Sequence, residues 1–404
     1  MHICFIAHEY PKLGFPHGGL GSFVKTIAEA LVKNGIKVSV VGLNYTPQNE
    51  YTVENGVAIY RIKRFRIKGL SWWLNFSAVN KKIKEIHKQD PIQVVESPEL
   101  DLAFINKIKE IKYVIRLHGG HHFFAEGENR GINWWKGFQE KRSFSHADAF
   151  IAVSEYVKKH TEKYLSYHDK PIKVIFNPIN LDVFAPQNVA VESNNITFAG
   201  SVCEKKGIRQ LIEAFLIVKE KFPEMELNIY GRDWFFPDGS SYINMLRTDV
   251  LPMIHPFDTD VIFHGAKAYA EIPKIYAKAR LCVFPSHIET LGLVAPEAMA
   301  VSKLVVFTNK GPGTEIIQHG KNGLLCNPYD PNDIAEKIIW TLKNEDLVKQ
   351  ISVAARKSVL DRFELTNLVL ENLQFYKTIL YEFPLEKKSV GKYWSFGMDK
   401  KIEE

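Results

Sequence analysis

The sequence is poor in cysteine and has no two cysteines close together. Its four, Cys4, Cys203, Cys282 and Cys326, are scattered over 404 residues. No C-x-x-C pair occurs, so the spacing supports neither a zinc site nor a redox motif. Each thiol sits in or beside an apolar run, as buried cytosolic thiols do. No run of about 18 or more apolar residues is present, which excludes a membrane-spanning helix. The opening "MHICFIAHEYP" has no basic leader and no long apolar core. No signal peptide is therefore expected, and the chain is expected to fold in the cytoplasm. The fingerprint G-x-G-x-x-G and its ribose carboxylate are missing from the first βαβ unit, which disfavours an NAD-dependent dehydrogenase. The net charge is only +6, too mild to mark a nucleic-acid binder.

What is present is apolar content enough for two cores. A chain of this length, 46% hydrophobic, suits two domains of roughly 150–200 residues. Short apolar runs recur, each ending on Gly, Pro, Ser, His or Asn. The first half has "HICFIAH", "KVSVVGLN", "IQVVESP", "YVIRLHGG", "AFIAVS" and "KVIFNP". The second has "NITFAGS", "ELNIYG", "VIFHG", "LCVFPS", "LVVFTN" and "GLLCNP". Runs without alternation predict strands buried on both faces. Helical patterns lie between them, such as "SFVKTIAEALVKNG" and "DPNDIAEKIIWTLKN", the second opening on Asp330 as N-cap. Strands alternating with helices predict βαβ units and parallel sheets. The polar, aperiodic stretch 185–195 separates two such series. The expectation is an α/β protein of two Rossmann-like domains facing a cleft, with ligands beyond the carboxyl ends of the strands.

Four loops at predicted strand ends carry candidate chemistry. In "PHGGLGSF" (16–23), Gly18 and Gly19 would let backbone N–H groups approach an anion at a helix N-terminus; a structural loop is the plainer reading. In "RLHGGHHFF" (116–124), His118 falls at a strand end, where an imidazole could bind a sugar hydroxyl. His118, His121 and His122 have no carboxylate at ligand spacing, so no metal site is expected. In "GSVCEKKGI" (200–208), Lys205 and Lys206 precede a helix whose dipole repels cations. A bound phosphate would offset that misfit; a solvated lysine pair is the alternative. In "HIETLGLVAPEAMA" (287–300), Pro296 is predicted as the first helical residue and Glu297 in the first turn. The N–H groups of "TLGL" would then be free donors for a diphosphate, with Glu289 and Glu297 as acceptors for hydroxyls. Complementation of the helix dipole is the alternative for Glu297. The D-x-D of Asp258 and Asp260 precedes a strand, at the wrong end of the sheet, and is expected to be a turn.

Together these segments resemble glycosyltransferases of family 4. The likeness rests on Glu289 and Glu297 with "TLGLVAPEAMA", on "GPGTEIIQHGKNGLLCNPYDPNDIAEKI", and on "GSVCEKKG" with Lys206. "PHGGLG", "VSEYVKKH" and "FNPINLDVF" match in position. It covers roughly residues 1 to 380 and is looser in the first half. It implies the GT-B fold: an acceptor-binding domain over 1–185, a donor-binding domain over 196–365, and a crossover helix and tail over 366–404 returning to the N-terminal domain. It further implies a retaining transfer of sugar from a nucleotide diphosphate sugar, UDP- or GDP-linked, to a glycan or lipid-linked acceptor, without metal or other cofactor. By the same resemblance, Glu289 would contact donor sugar hydroxyls, Glu297 the ribose, and the backbone of Thr290, Leu291 and Gly292 the sugar and phosphate. Lys206 would neutralise the diphosphate and His118 would face the donor sugar from the other domain. The base would lie near Gly231, Gly265 and Ala266. Ser201 stands where the family usually has an arginine, and Lys205, Arg209 or Arg232 are candidates to replace that charge. Asn177-Pro-Ile-Asn180 departs from the family's N-G-V-D. The alternatives are a glycogen or starch synthase-like glucosyltransferase, suggested by "GGLG", and a catalytically silent nucleotide-sugar-binding subunit, suggested by Ser201.

The stretch 61–88 holds nine Lys or Arg and one Glu, with Trp72, Trp73 and Phe76 among them. It reads either as a solvated helix with an aromatic core stripe or as a patch that lies on anionic lipid. The second reading would make the protein peripheral on the inner face of a membrane and suits a lipid-linked acceptor.

Overall fold

The computed structural model describes residues 1–15 and 18–382. The first two residues of the "PHGGLGSF" loop and the tail from 383 lie outside the described residues. The first sheet contains β1 (His2–Ile6), β2 (Lys37–Leu43), β3 (Glu50–Glu54), β4 (Val57–Ile62), β5 (Val94–Ser97), β6 (Lys112–Leu117), β7 (Ala149–Ala152) and β8 (Ile172–Val174). Their spatial order is β3-β4-β2-β1-β5-β6-β7-β8. The second contains β9 (Asn195–Ala199), β10 (Glu226–Tyr230), β11 (Val261–Gly265), β12 (Leu281–Phe284), β13 (Val305–Thr308) and β14 (Leu324–Cys326), in the order β11-β10-β9-β12-β13-β14. Every pairing is parallel except β3 with β4. This is the expected architecture of two α/β sheets facing a cleft. β1, β5, β6, β7, β9, β12 and β13 are buried at every residue, which is why their sequences run apolar without alternation.

Two strands were not expected. β3 and β4 form an antiparallel hairpin on the edge of the first sheet. β3 alternates between half-buried and exposed residues, so it lacks the continuous apolar run of its neighbours. Asn55 and Gly56 form its turn, both at positive φ, 48° and 81°. That Asn-Gly pair between β-rich segments is the signal for a tight hairpin.

The chain orders differ, yet each sheet reverses direction of winding at its first strand. β1 lies between β2 and β5, and β9 lies between β10 and β12. Loops leaving a sheet at such a switch point diverge and open a crevice. Gly18 and Gly19 follow β1, His118 follows β6, Lys206 follows β9, and Glu289 follows β12, so the topology brings the candidate residues to these crevices.

The helix Leu365–Tyr381 returns to the first sheet, as expected. Its Leu368, Val369, Phe375 and Tyr376 pack with Ile3, Phe5 and Ile27 of the first domain. Beneath them the Arg116 Nε donates to Glu96 at 2.7 Å, and the Tyr376 hydroxyl donates to the other Glu96 oxygen at 2.5 Å. Asn372 accepts from Arg116 as well. A buried ion pair of this kind tolerates the loss of neither partner, and it fixes the crossover helix to the strand that leads into His118.

Candidate active site

Lys206 and Glu289 meet at the center of the second sheet's switch point. Lys206 ends a short 3-10 turn, Glu204–Lys206, after β9. Gly207 then takes a left-handed φ of 70° and begins the helix Ile208–Lys219. A Cβ on Gly207 would lie 2.0 Å from the Pro285 carbonyl oxygen, so glycine lets this loop press against the end of β12. The His287 N–H donates to the Lys205 carbonyl at 2.9 Å. Stitched together in this way, the Lys206 ammonium donates to Glu289 Oε1 at 2.5 Å, with Glu289 only 8% exposed. The expected lysine at a strand end is therefore present, but it is paired within the chain.

Downstream of Glu289, the N–H groups of Thr290, Leu291 and Gly292 donate to no acceptor among the described residues. Leu291 buries its side chain, and Gly292 takes φ 79°. A Cβ there would approach Phe307 to 2.6 Å. The helix that follows is Val294–Ala300. Pro296 is thus its third residue, not its first as expected; within the first turn the missing N–H has no intrahelical partner to lose. Glu297 remains in the first turn, its carboxylate without a hydrogen-bond partner among the described residues, and burial pushes that carboxyl up to about 8. An unpartnered, desolvated acceptor of this kind favours a ligand that brings hydroxyl donors.

The remaining second-domain positions line the same edge. The Gly231 N–H donates to the Gly265 carbonyl at 2.9 Å. A Cβ on Gly231 would fall 1.7 Å from the Gly200 carbonyl oxygen, so β9, β10 and β11 converge there. Gly265 takes φ 69° with open space at its Cβ, and Ala266 is exposed. Ser201 is half-buried and carries no charge to the loop. Of the three cations that could replace the usual arginine, Arg209 is paired with Glu204. Lys205 lies over the rings of Phe124 and Trp234, 5.0 and 5.5 Å from their centers. Arg232 pairs with no acidic side chain among the described residues.

The first domain contributes a loop and a helix end. His118 packs 5.1 Å from Phe23, and burial together with Arg116 pushes its imidazole down to about 3, so it is neutral at physiological pH. Gly119 presses on the other domain: at φ 90°, a Cβ there would lie 2.5 Å from Thr290 Cγ2. His121 and His122 do not join His118. The His121 Nε2 accepts from the Asn133 N–H at 2.8 Å, and His122 is bonded to Glu140. Among the described residues, no three His, Cys, Asp or Glu side chains converge as metal ligands. Asp260 of the D-x-D pairs with Lys219 at 2.7 Å, before β11, in the turn expected there. At the other helix end, the Gly18 N–H donates to Glu9 at 3.1 Å, while a Cβ on Gly19 would meet open space.

Two family models match the chain. One, described as glycosyltransferase family 4, covers residues 17–183, and the other, glycosyl transferases group 1, covers 182–358. An uncharacterized glycosyltransferase of Methanocaldococcus jannaschii is 28% identical over 400 residues, spanning 93% of this chain and 98% of the relative. The chain is a GT-B-fold relative of these glycosyltransferases. Among solved structures, sucrose-phosphate synthase from Thermosynechococcus elongatus superposes with a TM-score of 0.80 at 19% identity, covering 94% of this chain and 98% of that one. Anabaena HepE in complex with UDP and glucose superposes with 0.75 at 17% identity, covering 94% and 100%. At those identities the structures establish the GT-B architecture alone.

Several residues of this GT-B cleft meet partners that spacing along the sequence does not reveal. Glu315 accepts from the N–H groups of Glu155 and Tyr156 at 2.9 and 2.6 Å, so a carboxylate of the second domain caps a helix of the first. Beside it, the Ser154 hydroxyl donates to the Thr290 carbonyl at 2.7 Å. Under the His118 loop, Glu140 accepts from the His121 N–H at 2.7 Å, and a Cβ on Gly120 would lie 1.7 Å from its Oε1. Glu99 lies beside it, buried, one oxygen without a partner, its carboxyl pushed up to about 8 by burial.

Proposed function

We propose that the chain is a retaining glycosyltransferase that moves a sugar from a UDP- or GDP-linked donor to a glycan or lipid-linked acceptor in cell-surface polysaccharide or glycolipid synthesis. The observation that carries this reading is the Lys206–Glu289 pair beside three N–H groups without acceptors. A diphosphate seated on those N–H groups gives Lys206 a second partner and leaves Glu289 to accept from sugar hydroxyls. Breaking the anomeric C–O bond makes an oxocarbenium-like sugar and a more negative diphosphate, which fixed donors stabilise most where water is excluded. The acceptor hydroxyl attacks from the face the diphosphate leaves. A new C–O bond forms there, the acceptor proton passes to the departing phosphate oxygen, and configuration is retained. His118, neutral, hydrogen-bonds a sugar hydroxyl without adding charge beside the cationic carbon. Glu297 takes the ribose, and Gly231, Gly265 and Ala266 flank the base. Donor binding falls to 196–365 and acceptor binding to 1–185. The HepE complex with UDP and glucose supports this class of donor.

The basic stretch supports a lipid-facing orientation. Its helix, Ser71–Gln89, leaves Trp73 54% exposed, and Trp134 of a neighbouring helix is 77% exposed. Trp72, Phe104 and Trp135 join Trp134 in one aromatic cluster. Aromatic rings among lysines and arginines suit the headgroup level of an anionic membrane. No helix among the described residues is long and apolar enough to cross a membrane. A thermal-shift screen of nucleotide diphosphate sugars tests the main reading, since a ligand of the folded state raises Tm. A shift by one such donor, followed by transfer or hydrolysis of its sugar, is expected; no shift with any of them defeats the proposal.

A further inference from the structure

We propose that the acceptor carries a phosphate group, held by Arg64 and Arg66 of the first domain and Arg232 of the second. The inference rests on the glycosyltransferase reading and names the substrate class of its acceptor side. The three arginines line one pocket of about 310 Å³ between the domains, with Gly18 and Tyr45 on its wall. None of the three makes an ion pair or a side-chain hydrogen bond with a described residue. Neighbouring arginines differ: Arg61 pairs with Glu50 and Glu54, and Arg209 with Glu204. Three guanidinium groups gathered around one cavity repel each other unless an anion joins them. Glu9 also lines the pocket and accepts from the Gly18 N–H at 3.1 Å, so a single carboxylate faces three guanidinium groups. The Tyr45 hydroxyl is buried without a partner, one more donor for an oxygen-rich ligand. Guanidinium forks match phosphate oxygens two at a time, which a carbohydrate hydroxyl does not require.

The pocket adjoins the transfer site. Arg232 directly follows Gly231, and its carbonyl accepts from the Val202 N–H at 2.9 Å, in the loop that leads to Lys206. A phosphate bound there ties the two domains across the cleft and aims the rest of the acceptor at the donor sugar. A second, apolar cavity of about 220 Å³, lined by Leu43, Trp72, Phe76 and Leu100, shares His8 with the first. The phosphate thus has two sources: a soluble sugar phosphate, or a lipid whose chain enters the apolar cavity.

Calorimetric titration of the full chain in the presence of UDP distinguishes them, with glucose 6-phosphate and monomeric dihexanoyl phosphatidic acid as probes. The wild type is expected to bind at least one. Arg64→Gln/Arg66→Gln is expected to weaken that binding at least ~10-fold, as the loss of charge-assisted contacts implies, and to leave UDP affinity within about 2-fold. Both side chains are exposed, so folding is not at stake. Lys81→Gln/Lys84→Gln, on exposed lysines of the adjoining helix, removes the same charge and is expected to change nothing beyond about 2-fold. Similar affinities for the two probes identify a soluble source. A tighter grip on the lipid probe, lost in Trp72→Ala, identifies a lipid one. The proposal is overturned if neither probe binds the wild type, if the arginine variant binds as tightly, or if the lysine variant loses as much. Failure of UDP to bind the wild type strikes the glycosyltransferase reading instead, and is read separately from the probes.

Discussion

The two halves of the cleft are built in different ways. In the second domain, Lys206, Glu289, the free N–H groups of 290–292 and Glu297 all lie within about a dozen residues of adjacent strands β9 and β12. Backbone geometry at two strand ends is enough to assemble them. In the first domain, His118 stands on a loop that rests on Glu140 and Glu99, which come from other elements, and the arginine pocket draws on β4's outgoing loop, the β1 loop and the opposite domain. The proposed donor side is local, whereas the proposed acceptor side is a meeting of distant pieces. On the proposed reading, acceptors can change by altering loops, while the donor machinery stays tied to the sheet.

The largest expected effect falls on the local side. Lys206→Ala should lower kcat at least ~100-fold, the scale on which a lost oxyanion donor acts, with a smaller change in donor KM. Steady-state kinetics at saturating donor check this, and near-normal turnover would remove Lys206 from the leaving-group role. Next is the shelf under His118. Gly120→Ala forces a methyl against Glu140 and should destabilise the fold by ~1–3 kcal/mol, seen as a lower Tm and weaker transfer; an unchanged Tm would mean the loop moves freely. Ser201→Arg should restore a cation to the donor loop and lower donor KM by roughly 3- to 10-fold, about the net worth of one hydrogen bond. No gain would indicate that a charge at this position adds nothing to donor binding.

The smallest effect is a slope with pH. Glu99 and Glu297 both have carboxyls pushed up to about 8 by burial, above the ordinary 4.5. Between those values the unfolded chain holds fewer protons than the folded one. Stability of the ligand-free protein should therefore fall as pH rises from about 5 to about 8. Glu99→Gln should flatten that decline in Tm measured across the range. A wild-type Tm that climbs over the same window would contradict the sign. Donor binding should oppose the decline, because hydroxyl donors at Glu297 favour its ionised form.

Much of the fold is legible in the sequence. Continuous apolar runs ending on polar punctuation located twelve of the strands. The misplaced lysines before a helix pointed to Lys206, and Glu289 stood out because no helix-dipole argument explained it. The β3/β4 hairpin was overlooked, although Asn55-Gly56 marks it, because an edge strand alternates and lacks a long apolar run. The helix starts at Val294, two positions before the expected Pro296, because proline is tolerated anywhere in a first turn and so does not fix the helix start. The aromatic cluster was read from Trp72, Trp73 and Phe76 alone; Trp134, Trp135 and Phe138 reach it from a helix some 60 positions away.

The sequence by itself determined the secondary elements, the division into two parallel-sheet domains and the loops that carry charge. Period and punctuation are local properties, set by neighbouring residues along one chain segment. Tertiary structure alone decided which charges meet. It paired Lys206 with Glu289 across 83 positions, set Glu315 on a helix of the other domain, buried Glu99 with one oxygen unpartnered, and left Arg64, Arg66 and Arg232 facing one cavity. Coulomb energies and desolvation depend on distance and burial in space, and neither can be read from spacing along the chain.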